Sequence, residues 1–420
     1  MRAIIVQRRM PWERNYLDEL RSLAESAGYT VVGELSQVRY PDPKYQIGPG
    51  KAEELAEMVK KLKADIVIFD NELKPVQAYN LAKLLGIEVI DRFQLILQIF
   101  AQRASTKEAK LQVQLARLRY ELSRAKEKVR LAKLGEQPGF LGLGRYEVDD
   151  YYEMVKKAVS RIQRKLKELR KNRVLHRARR KELGYPRVSL SGYTNAGKST
   201  LFYVLTKKYV PISPLLFTTL TTTTRMAEFN GRKALVTDTV GFIDRLPITL
   251  IEAFHSTLEE TVLSDLILLV IDVSEPMSEI YRKLGCCMDT LREIGAEKVT
   301  KIIALNKIDL VYDKEILEER IKRVKRVIEP AIPISALYEE NIKELKHTIA
   351  SMLPGYLKAE ASMPWCDKAQ SIISLIHERG NVLKIEYEND GVKIIFEGVE
   401  PLIGTVKGMI KEVGGSISIS

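Results

Sequence analysis

Apolar and polar positions along the first 93 residues alternate between the two-residue spacing of strands and the wider spacing of helices. The predicted elements are strand 3–6, helix 13–27, strand 30–35, a helix from about 51, strand 65–70, helix 76–85 and strand 87–91. Strands that alternate with helices are typical of a small α/β domain with a mainly parallel sheet. The glycine-containing stretch 47–51 lacks the spacing of a nucleotide-binding loop, and we interpret it as a turn.

The next segment has the spacing of a coiled coil, with apolar side chains at alternating intervals of four and three residues. These side chains are Leu111, Leu115, Leu118, Leu122, Ala125, Val129 and Ala132, then Val155, Val159, Ile162, Leu166 and Leu169. Between the two stretches, residues 135–146 contain Pro138 and four glycines, which prevent a helix. We predict an antiparallel hairpin of two long helices within residues 94–182.

Alternating strands and helices return in residues 185–357, which we interpret as a second doubly wound domain. Its predicted strands are RVSLSG, ALVTDT, LILLVIDV, KIIALN and AIPIS. Residues 362–420 have a helical pattern followed by two alternating runs that are joined by Asp390 and Gly391. Asp-Gly between alternating runs indicates a β-hairpin, so this last part is predicted to be a small α+β domain.

Composition excludes several classes of protein. Of the 420 residues, 45% are hydrophobic and 29% are charged, and no apolar run approaches the ~18 residues of a membrane helix. The first residues lack the apolar stretch of a secretory signal, so we expect a cytoplasmic protein without a membrane span. Three cysteines with neither disulfide-framework nor zinc-ligand spacing indicate reduced structural thiols.

Positive charge is concentrated in the predicted helical hairpin. The net charge of the whole chain is +12, whereas residues 101–190 alone carry 25 basic and 10 acidic side chains. Residues 161–181 contain eleven basic side chains and one acidic one, Glu168. Such an unbalanced segment favours a polyanionic partner, above all nucleic acid. The predicted contact residues are Arg170, Lys171, Arg173 and Arg177.

The residues GYTNAGKST follow a predicted strand, open a helical pattern and fit the P-loop motif. In this motif backbone N–H groups bind the phosphates, Lys198 neutralises the β and γ phosphates, and Ser199 offers a hydroxyl to Mg2+. The predicted phosphate site consists of Gly192, Tyr193, Thr194, Asn195, Ala196, Gly197, Lys198, Ser199 and Thr200.

Three further motifs follow at the ends of predicted strands, where such sheets bind ligands. In DTVG, Asp238 can hold magnesium through water and the Gly241 N–H can reach the γ-phosphate. In NKID, the Asp309 carboxylate can accept two guanine hydrogens, which adenine does not offer, so it selects GTP. The rest of the predicted base pocket is Asn306, which ties this loop to the P-loop, Lys307 over the base, and Ser335 and Ala336.

These motifs and the block VIDRFQLILQIFAQRASTKEAKLQVQLARLRYEL at 89–122 resemble the HflX family of GTPases. The resemblance covers nearly the whole chain, including IGPGKAEEL, IFDNEL and LHERGNVLKIEYENDGV. It implies an α/β fold in which a P-loop GTPase domain is preceded by a small α/β domain and the helical hairpin and is followed by the small α+β C-terminal domain. It also implies a monomer that binds the large ribosomal subunit and its RNA and that splits or rescues ribosomes.

Two residues extend this expectation to catalysis. By similarity to GTPases with an FTTL motif, Thr219 is the switch threonine that binds magnesium, and with Lys198 and Gly241 it completes the predicted catalytic set. Phe242 stands where many GTPases have a water-orienting glutamine, so intrinsic hydrolysis of GTP to GDP should be slow. Asn195 matches an asparagine that binds K+ in potassium-stimulated GTPases, so a potassium ion is a second candidate cofactor.

Two other functions fit the same motifs. One is a GTPase of ribosome assembly or RNA modification, which would bind ribosomal precursors or tRNA instead of mature subunits. The other is an RNA-binding module in which GTP is a slowly exchanging ligand, and it predicts the same RNA affinity with GDP and with GTP.

Overall fold

The structure is a computed structural model that forms two compact units. It describes residues 1–133, 152–169, 184–207, 217, 223–245, 250, 258–388 and 390–419, and describes side chains in the first of these ranges as far as residue 124. The first unit contains residues 1–169, 213–221 and 247–254, and the second contains residues 170–212, 222–246 and 255–420. In the part of the chain described, no helix combines the length and apolar character needed to cross a bilayer.

The first unit begins with a four-stranded parallel sheet in the order β2-β1-β3-β4. Its elements are β1 (Arg2–Arg9), α1 (Leu17–Ser26), β2 (Thr30–Val38), α2 (Pro49–Leu62), β3 (Ile66–Phe69), α3 (Pro75–Leu85) and β4 (Glu88–Asp91). This alternation confirms the predicted α/β class. The turn predicted at 47–51 is wrong in part, because α2 begins at Pro49, whose fixed φ suits the first position of a helix.

Two consecutive charged residues connect this sheet to the helices that follow, α4 (Arg92–Arg103) and α5 (Lys107–Lys133). Asp91 caps α4 and accepts a hydrogen bond of 2.5 Å from the Tyr120 hydroxyl of α5. Arg92 is buried and pairs with Glu19 at 2.5 Å and with Asp70 at 3.2 Å. The distinctive block at 89–122 therefore contains the contacts that fix α5 on the α/β domain.

Both helices predicted for the hairpin are present, as α5 and as α6 at 152–169. Among the seam residues with described side chains, Leu115, Val155 and Ile162 are buried, as the spacing predicts. The others are half-buried: Leu111, Leu118, Leu122, Val159, Leu166 and Leu169. In α5 the buried face is displaced from the seam and includes Val113 and Ala116, because this helix also packs against α4. The predicted turn at 135–146 lies outside the described residues.

The second unit contains a six-stranded sheet in the order β10-β9-β8-β5-β7-β6. Its elements are β5 (Arg187–Gly192), α7 (Lys198–Thr206), β6 (Thr223–Phe229), β7 (Arg232–Asp238), β8 (Leu266–Asp272), α8 (Met277–Glu293), β9 (Thr300–Asn306), α9 (Lys314–Lys325), β10 (Ala331–Pro333) and α10 (Ile342–Met352). All neighbours are parallel except β6, which pairs with β7 in antiparallel fashion. Strand β6 is absent from the predicted elements, although Asn230 and Gly231 at its turn are a hairpin signal.

The same unit ends with an antiparallel sheet in the order β12-β13-β11-β14. Its elements are β11 (Tyr356–Pro364), α11 (Asp367–Arg379), β12 (Asn381–Glu388), β13 (Gly391–Val399), α12 (Glu400–Glu412) and β14 (Ser416–Ile419). The predicted α+β class and its hairpin are confirmed. The sheet starts at Tyr356 and not at the predicted residue 362. The reason is that β11, which begins at Tyr356, pairs with both β13 and β14 and is therefore a central strand of the sheet.

Candidate nucleotide-binding site

The P-loop connects β5 to α7 at the carboxyl end of the parallel strands. A Cβ atom on Gly192, which has φ 147°, would lie 2.3 Å from the Val270 carbonyl oxygen. A Cβ atom on Gly197, which has φ 95°, would lie 2.2 Å from the Asn306 amide nitrogen. Both positions therefore require glycine, and the turn brings backbone N–H groups to the start of α7, where anions bind.

Lys198 and Ser199 begin α7, and each donates a side-chain hydrogen bond. The buried Lys198 ammonium donates to the Tyr193 carbonyl at 2.8 Å. Burial lowers the pKa of Lys198, and the nearby Asp238 carboxylate opposes this shift. The Ser199 hydroxyl donates to Asp238, which is 0% exposed, at 3.1 Å. The amine, hydroxyl and carboxylate predicted for phosphate and magnesium binding are thus brought together.

Asn306 joins three loops of the site. Its amide nitrogen donates to the Ala196 carbonyl of the P-loop at 2.8 Å, and its amide oxygen accepts from the Ala336 N–H at 2.9 Å. This arrangement confirms that the NKID loop is tied to the P-loop. The Ser335 side chain is fully buried beside Ala336 and accepts from the Tyr338 N–H at 3.2 Å.

The two other residues of the NKID loop lie at the edge of the site. Asp309 lies in a short 3-10 turn, Ile308–Leu310, and is half-buried. Lys307 has φ 68°, and its ammonium pairs with Asp272 at 2.6 Å. Asp272 ends β8, so this pair joins two neighbouring strand ends beside the P-loop.

The DTVG segment passes directly over the P-loop. Phe242 donates its N–H to the Gly192 carbonyl at 3.0 Å and accepts at 2.8 Å from the Thr194 N–H. The Phe242 ring is 1% exposed and therefore belongs to the protein interior. Gly241 stands beside Lys198 and Thr194, so the N–H predicted to reach the γ-phosphate lies next to the P-loop lysine.

Side chains from α8, the P-loop and the residues after DTVG form a cluster that supports the DTVG segment. The sequence motifs did not reveal this cluster. The Tyr193 hydroxyl accepts from the Asp244 N–H at 3.1 Å, and Arg282 pairs with the Asp244 carboxylate. The Arg282 guanidinium also lies 5.3 Å from the centre of the Tyr193 ring. Nearby, burial raises the pKa of Cys287 to about 12, so this thiol stays protonated. The three cysteines are free, as the sequence predicts.

Other predicted site residues lie in the P-loop, in the first turn of α7 or outside the described residues. Asn195 is exposed and has φ 63°, and Thr200 is half-buried in the first turn of α7. Thr219, Arg170, Lys171, Arg173 and Arg177 lie outside the described residues. The described part of the site can therefore hold a nucleotide phosphate chain, whereas the switch threonine and these basic contacts stay predictions.

Three family models match the chain in succession. A GTP-binding GTPase N-terminal model matches residues 14–101, a GTP-binding GTPase middle-region model matches 103–180, and a 50S ribosome-binding GTPase model matches 187–307. The last of these spans the P-loop, DTVG and the asparagine of NKID. The matches follow the order of elements in the structure.

Whole proteins and a solved structure agree with these matches. The GTPase HflX of Thermococcus kodakarensis is 42% identical over 98% of this chain and 95% of its own length. The GTPase HflX of Thermofilum pendens is 45% identical over 96% of both chains. A crystal structure of SsGBP in a GDP complex is 28% identical and covers 84% of this chain and 98% of its own, with a TM-score of 0.50. The chain therefore belongs to the HflX family of GTPases, which hydrolyse GTP.

Proposed function

We propose that this GTPase binds the large ribosomal subunit through its N-terminal domain, residues 1–93, and its helical hairpin, residues 94–182, and that it splits or rescues ribosomes. The observation that carries the proposal is the charge on α6. Its exposed basic side chains are Lys156, Lys157, Arg161, Arg164, Lys165 and Lys167. Glu153 and Glu168 are the acidic residues of this helix.

A face of this kind suits ribosomal RNA because phosphates supply most of the non-specific affinity of nucleic acids for proteins. The match of residues 187–307 to the 50S ribosome-binding GTPase model supports the large subunit as the source of that RNA. The predicted contacts Arg170, Lys171, Arg173 and Arg177 continue the same basic sequence beyond α6.

The nucleotide pocket fits GTP with magnesium. Ser199 and Asp238, which contact each other at 3.1 Å, would hold Mg2+ together with Thr219. The ion would neutralise charge on the β and γ phosphates. Lys198 would bind the same phosphates, and Asp309 would select guanine.

A potassium ion at Asn195 is part of this proposal, since the asparagine is exposed at the rim of the P-loop. It predicts faster hydrolysis in K+ than in Na+, and Asn195→Ala should remove the difference. The same rate in both salts for the parent protein would exclude the ion.

Phe217, which lies two positions before Thr219 in the sequence, belongs to the first unit. Within it, the buried rings of Phe217 and Phe100 pack edge to face with their centres 4.7 Å apart. This edge-to-face pair therefore links the sequence neighbourhood of the predicted switch threonine to α4.

The test is the salt dependence of binding to purified large subunits. We expect the logarithm of affinity to fall linearly with the logarithm of salt concentration, and each lost phosphate contact to reduce the slope by roughly one. Replacing Lys157, Arg161, Arg164 and Lys165 by Ala should flatten the slope, whereas basal GTP hydrolysis stays unchanged. Replacing Arg170, Lys171, Arg173 and Arg177 by Ala should have the same effect.

A matched control removes four basic side chains from the second unit: Lys314, Lys322, Lys325 and Arg326, all exposed on or just after α9. This control should keep the parent slope. Equal slopes for parent and hairpin variants would reject the basic helices as the RNA-binding surface. Binding to ribosomal precursors alone would favour an assembly GTPase.

A further inference from the structure

We propose that the Thr194 hydroxyl orients the attacking water during GTP hydrolysis. This inference concerns the hydrolysis reaction of the family and does not depend on the proposed ribosomal role. Many GTPases use a glutamine for this task, at the position that Phe242 occupies here. The phenyl ring has no hydrogen-bonding group, and it lies in the protein interior at 1% exposure.

The state of the Thr194 side chain is the first observation. Thr194 is 5% exposed, and none of the residues described gives its hydroxyl oxygen a hydrogen-bond partner. Buried hydroxyl groups almost always have a partner, which can be protein, water or ligand. The hydroxyl oxygen of Thr194, which is closed off from solvent, therefore lacks the partner that a bound group could supply.

The position of this side chain is the second observation. A Cβ atom built on Gly241 would lie 2.8 Å from the Thr194 Cγ2 atom and 2.9 Å from the Lys198 Nζ atom. The Gly241 N–H and the Lys198 ammonium are the groups that meet the γ-phosphate in GTPases of this fold. The methyl group of Thr194 therefore borders the place where the γ-phosphate and the attacking water meet, and rotation about the Cα–Cβ bond would bring the hydroxyl there.

The backbone of Thr194 and the preceding residue, Tyr193, are held in place. The Thr194 N–H donates to the Phe242 carbonyl at 2.8 Å, and the Tyr193 hydroxyl accepts from the Asp244 N–H at 3.1 Å. Arg282 pairs with Asp244 and covers the Tyr193 ring. A polar group fixed in a buried site needs little reorganisation during the reaction, which is the condition for strong electrostatic catalysis.

The hydroxyl would accept one hydrogen of the water and donate its own hydrogen to a γ-phosphate oxygen. The water oxygen then bonds to the γ-phosphorus, and the bond from that phosphorus to the β–γ bridging oxygen breaks. GDP leaves with the electron pair, and the water proton passes to the released phosphate. Thr194 itself is unchanged, so one GTP and one water give GDP and phosphate.

The experiment compares Thr194→Val, which keeps the shape of the side chain, with Thr194→Ser, which keeps the hydroxyl. Single-turnover GTP hydrolysis is measured on the full chain without ribosomes, together with GDP affinity and binding of GDP with aluminium fluoride. We expect Thr194→Val to slow hydrolysis by ~10² and to lose aluminium fluoride binding, with GDP affinity within twofold of the parent. Thr194→Ser should recover most of both.

Thr206→Val is the control, because the Thr206 hydroxyl donates to the Phe202 carbonyl within α7, the helix that follows the P-loop. It should hydrolyse GTP at the parent rate. Hydrolysis by Thr194→Val within threefold of the parent would overturn the proposal. An equal loss of hydrolysis rate in the Val and Ser variants would assign Thr194 a packing role. A parallel loss of GDP affinity would assign it a role in nucleotide binding. Either result would also overturn the proposal.

Discussion

Replacing Asn306 by Ala should separate the three loops that form the nucleotide pocket. Asn306 is 3% exposed, donates to the Ala196 carbonyl at 2.8 Å and accepts from the Ala336 N–H at 2.9 Å. The truncation leaves a buried carbonyl and a buried N–H without this partner, and each loss costs ~1 to 3 kcal/mol. The total is therefore about 2 to 6 kcal/mol.

Most of this cost should appear as lost nucleotide affinity, because the empty pocket can relax whereas bound GDP needs both loops in place. Since 1.4 kcal/mol is a factor of ten, even the lower value predicts GDP binding weaker by ~30-fold. Titration calorimetry with GDP measures this directly. The matched control is Asn80→Ala, which removes an exposed bond from an asparagine amide to the Lys44 carbonyl at 3.3 Å.

The control should bind GDP as the parent does. If Asn306→Ala bound GDP within threefold of the parent and kept the parent circular dichroism, the contact between these loops would not support nucleotide binding. The interpretation of Asn306 as the brace of the pocket would then be wrong.

Three other predictions follow from the same structure. Asp309→Asn should weaken GTP binding and shift preference toward XTP, because the amide can donate to the xanthine carbonyl but cannot accept both guanine hydrogens. Competition between the two nucleotides tests this prediction, and unchanged GTP affinity would refute it. Lys198→Ala should abolish tight GTP binding, whereas the circular dichroism spectrum of the variant should match that of the parent, since the two units have separate cores. Global unfolding of the variant would contradict that separation. Glu397→Gln should destabilise the second unit by ~1 kcal/mol at pH 7, because Arg232 donates to this carboxylate at 2.8 and 2.9 Å. Hydrogen bonds from Arg232 lower the pKa of Glu397 in the folded protein. This stabilisation is therefore present above the unfolded pKa of ~4.3 and is lost as the pH falls through the pKa of the folded protein. Thermal unfolding at several pH values should show that the parent and the variant become equally stable in acid.

The nucleotide pocket could be predicted from sequence because its residues follow buried strands. Asp238 and Asn306 each end a buried strand, and Lys198 follows the end of β5 by six positions. Parallel strands bring such ends to one edge of the sheet. The short spacing within each motif then fixes the local geometry. The Asn306 contact with the P-loop follows from these two constraints.

Other features depend on contacts between distant parts of the chain. Tyr193 and Arg282 are 89 positions apart, and nothing in either local pattern indicates that the guanidinium lies over the ring. Strand β6 is an edge strand with a weak apolar pattern, and its pairing with β7 decides its conformation. In α5, Tyr120 contacts Asp91 because the helix packs on the sheet domain, which its heptad spacing alone does not predict.

The most direct test of the account is co-sedimentation of the full chain with purified large ribosomal subunits in two nucleotide states. With a non-hydrolysable GTP analogue we expect stable association, and with GDP an affinity lower by ~5- to 150-fold, the usual range for coupling between two sites. Lys198→Ala should associate equally and weakly in both states. Equal affinity of the parent with the analogue and with GDP, or no association in either state, would contradict a nucleotide-controlled function on the ribosome.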